Sequence, residues 1–226
     1  MGNVAASGRQ SPFADRALTW MVGIIVVDVF FICPLAETFS NNPAWFDLSL
    51  TIVLVLGALV VWGNLLLADV FVATGIVTIA TRLAAILMPE WDLRLYDALF
   101  AALNLFLLST LIGRRVLAPG RINAHRIQGA IAVYLLVGLL FGQVFRAIAL
   151  HAPGAFLYLG KPAAYSDIVQ HLTYFSFVSL TTLGFGDITP VHPIAKSMTL
   201  LAAVFGTLYP AVLIGRLVSQ ELLQQR

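Results

Sequence analysis

Residues 166–190 read SDIVQHLTYFSFVSLTTLGFGDITP. The largely apolar stretch 167–180 within it would make roughly 21 Å of α-helix at ~1.5 Å per residue. That is too short to cross a hydrocarbon core of about 30 Å. Ser166, directly before Asp167, is suited to cap its amino end. The chain must then return within residues 181–190, which contain Gly184 and Gly186 and close on Pro190. Non-helical backbone at membrane depth is tolerated only where protein buries it or where it lines a watery cavity. The segment is therefore expected to be re-entrant, a half-helix going in and extended backbone coming out beside water.

The rest of the chain supplies the membrane setting. Of 226 residues, 60% are apolar and 11% charged, against roughly 25% charged in an average soluble domain. With a mean hydropathy of +0.92, a soluble globular domain and a disordered chain are both excluded. The one cysteine, Cys33, excludes a disulfide within the chain. Apolar spans are expected at 17–36, 46–63, 67–88, 95–113, 127–149 and 194–218, with a turn at Gly63-Asn64 dividing the long stretch 46–88. A signal peptide at the first span is disfavoured, since its apolar core exceeds the usual ~7–15 residues. Arg9 and Arg16, then Arg114, Arg115, Arg121 and Arg126, then Arg216 and Arg226 all fall on one side if six spans are counted. Positive flanks stay cytoplasmic, which places both termini inside and the protein in the plasma (inner) membrane.

The expected fold class is an all-α membrane protein, a four-helix transmembrane bundle followed by a two-helix pore module with a re-entrant helix. Its parts are a tail (1–16), the bundle (17–113), a basic linker (114–126), the pore module (127–218) and a short tail (219–226).

In Thr182-Leu183-Gly184-Phe185-Gly186-Asp187 the glycines permit backbone angles that other residues resist. Alternating such angles turns successive carbonyls toward one axis, and rings of carbonyls replace the hydration shell of a dehydrated cation. The segment resembles the potassium-channel signature T-x-G-[YF]-G-D, and Val178-Ser179-Leu180-Thr181 resembles the pore-helix end of that family. The chain is similar to six-span, one-pore potassium channels of the prokaryotic ion-channel superfamily, with the specific likeness confined to about 166–218. The resemblance implies K+ sites formed by the carbonyls of Thr182, Leu183, Gly184 and Phe185 with the Thr182 hydroxyl. It also implies an outward turn at Gly186, Asp187 at the outer mouth, a homotetramer, and passive conduction with no cofactor besides permeant K+. Thr181, Tyr174 and Phe175 would support the filter. Phe185 replaces the commoner tyrosine, and Tyr174 and Phe175 stand where many members carry paired tryptophans. By analogy, a Tyr174–Asp187 hydrogen bond is expected. Val178 occupies a position that is a carboxylate in some members.

Gly206, twenty residues after Gly186, matches the inner-helix hinge of the family, and close helix packing by a small residue is the other reading. Pro210 is expected to kink the last span. Span four carries Arg94, Asp97, Arg114 and Arg115 only near its ends, so no arginine-ladder voltage sensor is expected. Asp28, Arg82 and Arg146 fall within spans. At depths of roughly 17 and 22 Å along their helices, Asp28 and Arg82 are expected to pair, with Asp97 as the rival partner for Arg82. His151, His171 and His192 fall outside. Arg114, Arg115, Arg121 and Arg126 would suit anionic headgroups of the lipid bilayer. No hydrolase, zinc-protease or nucleotide-binding string occurs, so no enzymatic activity and no nucleic-acid partner are expected. The alternatives are a weakly selective cation channel and a potassium-transport subunit, whose relatives carry several pore repeats.

Overall fold

A computed structural model describes residues 12–32, 44–61, 66–88, 90–118 and 124–224. The Gly63-Asn64 turn, Cys33, Arg9, Arg121, Arg226 and Pro119-Gly120 lie outside these described residues. The chain is an all-α membrane protein. Helix α1 (Pro12–Val27) continues into a π-helical turn (Asp28–Ile32). Then follow α2 (Ala44–Val61), α3 (Leu66–Leu87), α4 (Arg94–Val116) and α5 (Ala124–His151). Among the described residues, four helices are long and apolar enough to cross a membrane, at Leu67–Ala85, Arg94–Val116, His125–His151 and Pro193–Arg216. Leu18–Ile32 and Asp47–Val60 form shorter apolar helices. The first helix begins at Pro12, inside the stretch read as a tail. Proline suits the first helical turn because its missing N–H has no partner there anyway.

Helix α5 is the hub. It packs on α1, on α4, on the re-entrant helix and on the last helix. The bundle is held by an apolar core with Met21, Ile25, Leu50, Leu105 and Leu108 fully buried. Polar contacts supplement it where lipid and helix are equally apolar. Buried Asn104 on α4 accepts from Thr74 Oγ1 (2.9 Å) and donates to Thr78 Oγ1 (2.8 Å), both on α3. At the other end of the bundle, arginines cover helix carbonyls. Arg115 Nη1 donates to the Val60 carbonyl at 2.7 Å. Arg126 donates to the carbonyls of Val116 (2.7 Å) and Ala118, and Arg216 to that of Leu117. The last carbonyls of a helix have no partner within it, and a cation suits the negative end of its dipole. Arg115 and Arg126, expected to face lipid headgroups, are thus occupied by backbone, while Arg114 is exposed.

After α5, the polar stretch 151–165 contributes two strands of a small sheet. Strands β1 (Phe156–Tyr158) and β2 (Lys161–Pro162) form a hairpin, and β3 (Ile188–Pro190) pairs antiparallel on the far side of β1, giving the order β2-β1-β3. The two hairpin-tip residues, Leu159 and Gly160, both have positive φ (51° and 77°), as a two-residue turn matched to strand twist requires. The re-entrant segment follows as α6 (Tyr165–Ile168), a 3-10 turn (Val169–His171) and α7 (Leu172–Leu180). The last helix, α8 (Pro193–Gln224), closes the chain.

Candidate functional site

The re-entrant helix is seated in a groove made by glycines. On α5, a Cβ added at Gly138 would lie 2.4 Å from the Phe177 ring, and one at Gly142 would lie 3.2 Å from Thr173 Oγ1. This small-x-x-x-small spacing lets the two helices approach closely. Buried Ser176 uses the closeness to donate to the Gly138 carbonyl at 2.8 Å. Behind α7, Phe145 and Phe156 lie 5.0 and 5.6 Å, centroid to centroid, from the buried Phe175. The expected cap on this segment is corrected. The helix starts at Tyr165, one residue before Ser166, with no side-chain cap, and Ser166 Oγ donates to Asp167 Oδ1 at 2.9 Å.

The carboxyl end of α7 runs directly into the T-L-G-F-G segment. Thr182 N–H donates to the Ser179 carbonyl (3.1 Å) and Leu183 N–H to that of Val178 (3.0 Å). With Thr182 at φ 60°, this is a Schellman cap, where glycine is usual at the left-handed position. A left-handed non-glycine costs roughly 1–2 kcal/mol. Gly184 (φ 58°) and Gly186 (φ 83°) repeat the left-handed angle two and four residues on. Residues 182, 184 and 186 are therefore left-handed in alternation with Leu183 and Phe185. Thr181 through Gly186 are all exposed in the single chain, and Thr181 Oγ1 bonds back to the Phe177 carbonyl at 2.7 Å. The Tyr174 ring stacks parallel to Phe185, with centroids 6.5 Å apart.

Both ends of this strand are anchored. Its start is the helix cap. Past its end, the Asp187 carbonyl accepts from Leu159 N–H at 2.7 Å, and β3 begins at the next residue. The hairpin tip thereby holds the far end of the segment.

Helix α8 passes behind the cap. A Cβ at Gly206 would lie 1.6 Å from the Leu180 carbonyl oxygen, so backbone-to-backbone packing demands glycine there. Pro210 lies inside the helix and offers no N–H to the Gly206 carbonyl four residues back. The helix is nonetheless continuous through this turn.

The buried charges group differently from the expected pair. Arg82 does not meet Asp28. Its Nε donates to Asp97 Oδ1 at 2.9 Å, and its Nη1 reaches the Asp47 carbonyl and the Thr51 hydroxyl. Depth along a helix does not fix which way a side chain faces, and α3 presents Arg82 to α2 and α4. Asp28 lies fully buried beside Ser49 of α2, and its carboxylate accepts no well-formed hydrogen bond. Arg146, also buried, bonds Asp47 Oδ1 at 2.6 Å and lies 3.8 Å from Asp97 Oδ2. Its Nε donates to Tyr165 Oη at 2.9 Å. Burial raises the pKa of that phenol and Arg146 opposes the rise, so Tyr165 keeps its proton. On the surface, a hydrogen bond from Arg94 lowers the pKa of Asp92. Asp47, Tyr165 and the Gly138/Gly142 pair were not singled out by sequence. A G-x-x-x-G spacing in an apolar span is the signal that marks the last of these.

Residues 133–221, from within α5 to near the end of α8, match a protein-family model described as "Ion channel". No curated protein and no solved structure matches the chain. The family match supports an ion-channel function for this part of the molecule rather than an enzymatic one.

Proposed function

We propose that the chain is one subunit of a potassium-selective channel, a homotetramer in the plasma membrane with six spans and both termini cytoplasmic. The observation that carries this reading is the left-handed alternation at Thr182, Gly184 and Gly186, set on the carboxyl end of a half-helix. That alternation directs the carbonyls of Thr182, Leu183, Gly184 and Phe185, with the Thr182 hydroxyl, at a common axis, where four copies complete a cage for dehydrated K+. The retention of Thr182 at a position where glycine relieves strain fits a hydroxyl needed as an ion ligand. The negative end of the α7 dipole faces the approach to this cage and favours a cation.

The topology has support at both faces. Asp47 and Asp97 sit near the starts of α2 and α4, and Arg82 and Arg146 near the ends of α3 and α5, yet all four meet. Arg115, Arg126 and Arg216 meet carbonyls at the opposite ends. Up-and-down spans satisfy both groupings, with the arginine-rich face inside. Gly206 and Pro210 share one helical turn whose hydrogen bonding proline breaks, and opening bends α8 there. Exposed Arg114 remains available to anionic lipid.

Reconstitution in liposomes with opposed K+ and Na+ gradients tests the reading. The reversal potential is expected near the K+ equilibrium value, and equal K+ and Na+ permeation would instead indicate the weakly selective alternative. Gly184→Ala is expected to abolish flux. A Cβ there meets nothing within 4 Å, so the loss would report the left-handed backbone itself. Unchanged K+ flux in that variant would overturn the assignment.

A further inference from the structure

The four-helix bundle carries no arginine ladder, and the cluster around Tyr165 suggests another use for it. Tyr165 opens the re-entrant helix and is gripped from two sides. Arg146 of α5 donates to its hydroxyl at 2.9 Å, and the Arg94 guanidinium, at the start of α4, lies 5.3 Å from its ring centroid. Arg146 is in turn fixed by a fork onto Asp47 of α2, with Nη1 at 2.6 Å and Nη2 at 3.4 Å from the two carboxylate oxygens. Asp97 of α4 stands 3.8 Å from Arg146 and accepts from Arg82 of α3 at 2.9 Å. Two carboxylates and two guanidiniums from four helices thus balance in charge at the outer end of the bundle, and one guanidinium N–H points out of the cluster onto the pore helix.

We propose that this cluster is a grip through which α2–α5 position the pore helix, with Arg146 and Tyr165 acting as positioning residues for the selectivity filter. The inference rests on the channel reading above. Arg146 holds Tyr165 through one directional hydrogen bond, and a guanidinium fork already spent on Asp47 has no freedom to follow if Tyr165 moves. From Tyr165 the chain passes through the 3-10 turn at Val169–His171, a natural joint within a helix. It then enters α7, and the left-handed residue of its Schellman cap, Thr182, is the first filter residue. A shift at Tyr165 is transmitted along α7 to the inner end of the filter, while the Leu159–Asp187 bond holds the outer end in place. Rearrangement of the bundle would reach the ion path from outside, at the filter, without passing through the inner end of α8.

Tyr165→Phe removes the acceptor oxygen and leaves the ring under Arg94. In planar bilayers, current through this variant is expected to decay several-fold faster during sustained conduction than in the parent tetramer. Raising external K+, which fills the filter, is expected to slow the decay again. Tetramer yield is expected to be unchanged. Wild-type decay in a conducting Tyr165→Phe channel overturns the grip, whereas absence of K+ current in the unaltered protein overturns the channel reading. Amide exchange over residues 172–183 tests the grip without conduction. It is expected to be about tenfold faster in the variant (about 1.4 kcal/mol), with exchange in α4 unaltered. Equal exchange in the two proteins, or a uniform increase throughout the fold, also overturns it. Arg146→Lys keeps the charge but not the fork and is expected to reproduce the Tyr165→Phe decay. A variant with parent-like decay would remove Arg146 from the grip.

Discussion

Helices α5 and α8 flank the T-L-G-F-G segment and are both largely apolar, yet over an 18-residue stretch of each, 72% of α5 and 11% of α8 is buried within the chain. Lipid accepts apolar side chains as readily as protein does, so exposure alone would be unremarkable. The contrast matters because of what α8 stands beside. Thr181–Gly186 are exposed along with it, and lipid cannot satisfy their peptide groups. Helix α5 is finished by its own chain. Helix α8, with Leu200, Leu201, Val204, Leu208 and Val212 facing outward, belongs to a surface that copies of the chain complete in our proposal.

Glycines on the two helices offer the sharpest test of how differently they are held. Gly206→Ala sets a Cβ 1.6 Å from a backbone carbonyl oxygen, and Gly138→Ala sets one 2.4 Å from an aromatic ring. The half-buried Phe177 ring can turn aside, whereas the Leu180 carbonyl is part of the helix cap that leads into the T-L-G-F-G segment. Overpacking typically costs about 1–3 kcal/mol, occasionally more. Gly206→Ala is expected at or beyond the top of that range, with flux abolished, and Gly138→Ala near the bottom with flux retained. Thermal unfolding and K+ flux measured side by side check this. The reverse order would mean that α5 carries the stricter contact.

A change on the outward face of α8 comes next in size. Leu208 is 57% exposed, as is much of that face, and Leu103 on α4 is 41% exposed. On the assembly we propose, Leu208→Gln is expected to shift solubilised protein from tetramer toward monomer, and Leu103→Gln to leave assembly unchanged. Size-exclusion chromatography with light scattering distinguishes them. Equal dissociation in both variants would remove the special status given to α8.

What could be read from sequence follows the same division. Among the described residues, four of the expected spans fall on helices long and apolar enough to cross a membrane and two on shorter apolar helices, and the half-helix followed by a glycine-punctuated return was legible because 14 residues cannot cross a membrane. Of the partners of the buried charges, only Asp97, the rival partner named for Arg82, was legible. Arg82 and Asp28 match in depth, but only packing sets their azimuth, and nothing in the sequence marks Asp47, three residues into α2, as the partner of Arg146. The hairpin of β1 and β2 was hidden for a local reason. Its Leu159-Gly160 tip lacks the Asn-Gly or Asp-Gly pair that marks such turns, and β1 and β2 are only three and two residues long. Gly206 matched a hinge by position, with close helix packing as the other reading, and the approach of the Leu180 carbonyl gives that packing its partner.

The smallest expected effect tests how α8 is tied back to α5. Tyr209 Oη donates to the Ala130 carbonyl at 2.9 Å, and its ring stacks 5.2 Å from Phe205 and lies 6.2 Å from Tyr134. Tyr209→Phe keeps both ring contacts and removes the bond alone. Hydrogen bonds between membrane helices average about 0.6 kcal/mol in double-mutant cycles, because the unfolded segment also finds partners. The Ala130 carbonyl keeps its acceptor role within α5, so no buried group is orphaned by the change. A loss of roughly 0.6 kcal/mol is therefore expected in the thermal unfolding of the solubilised protein, with K+ flux changed less than about threefold. A loss above ~2 kcal/mol would show that one hydroxyl, and not assembly, secures the inner half of α8, and the contrast drawn between the two helices would fail at that end.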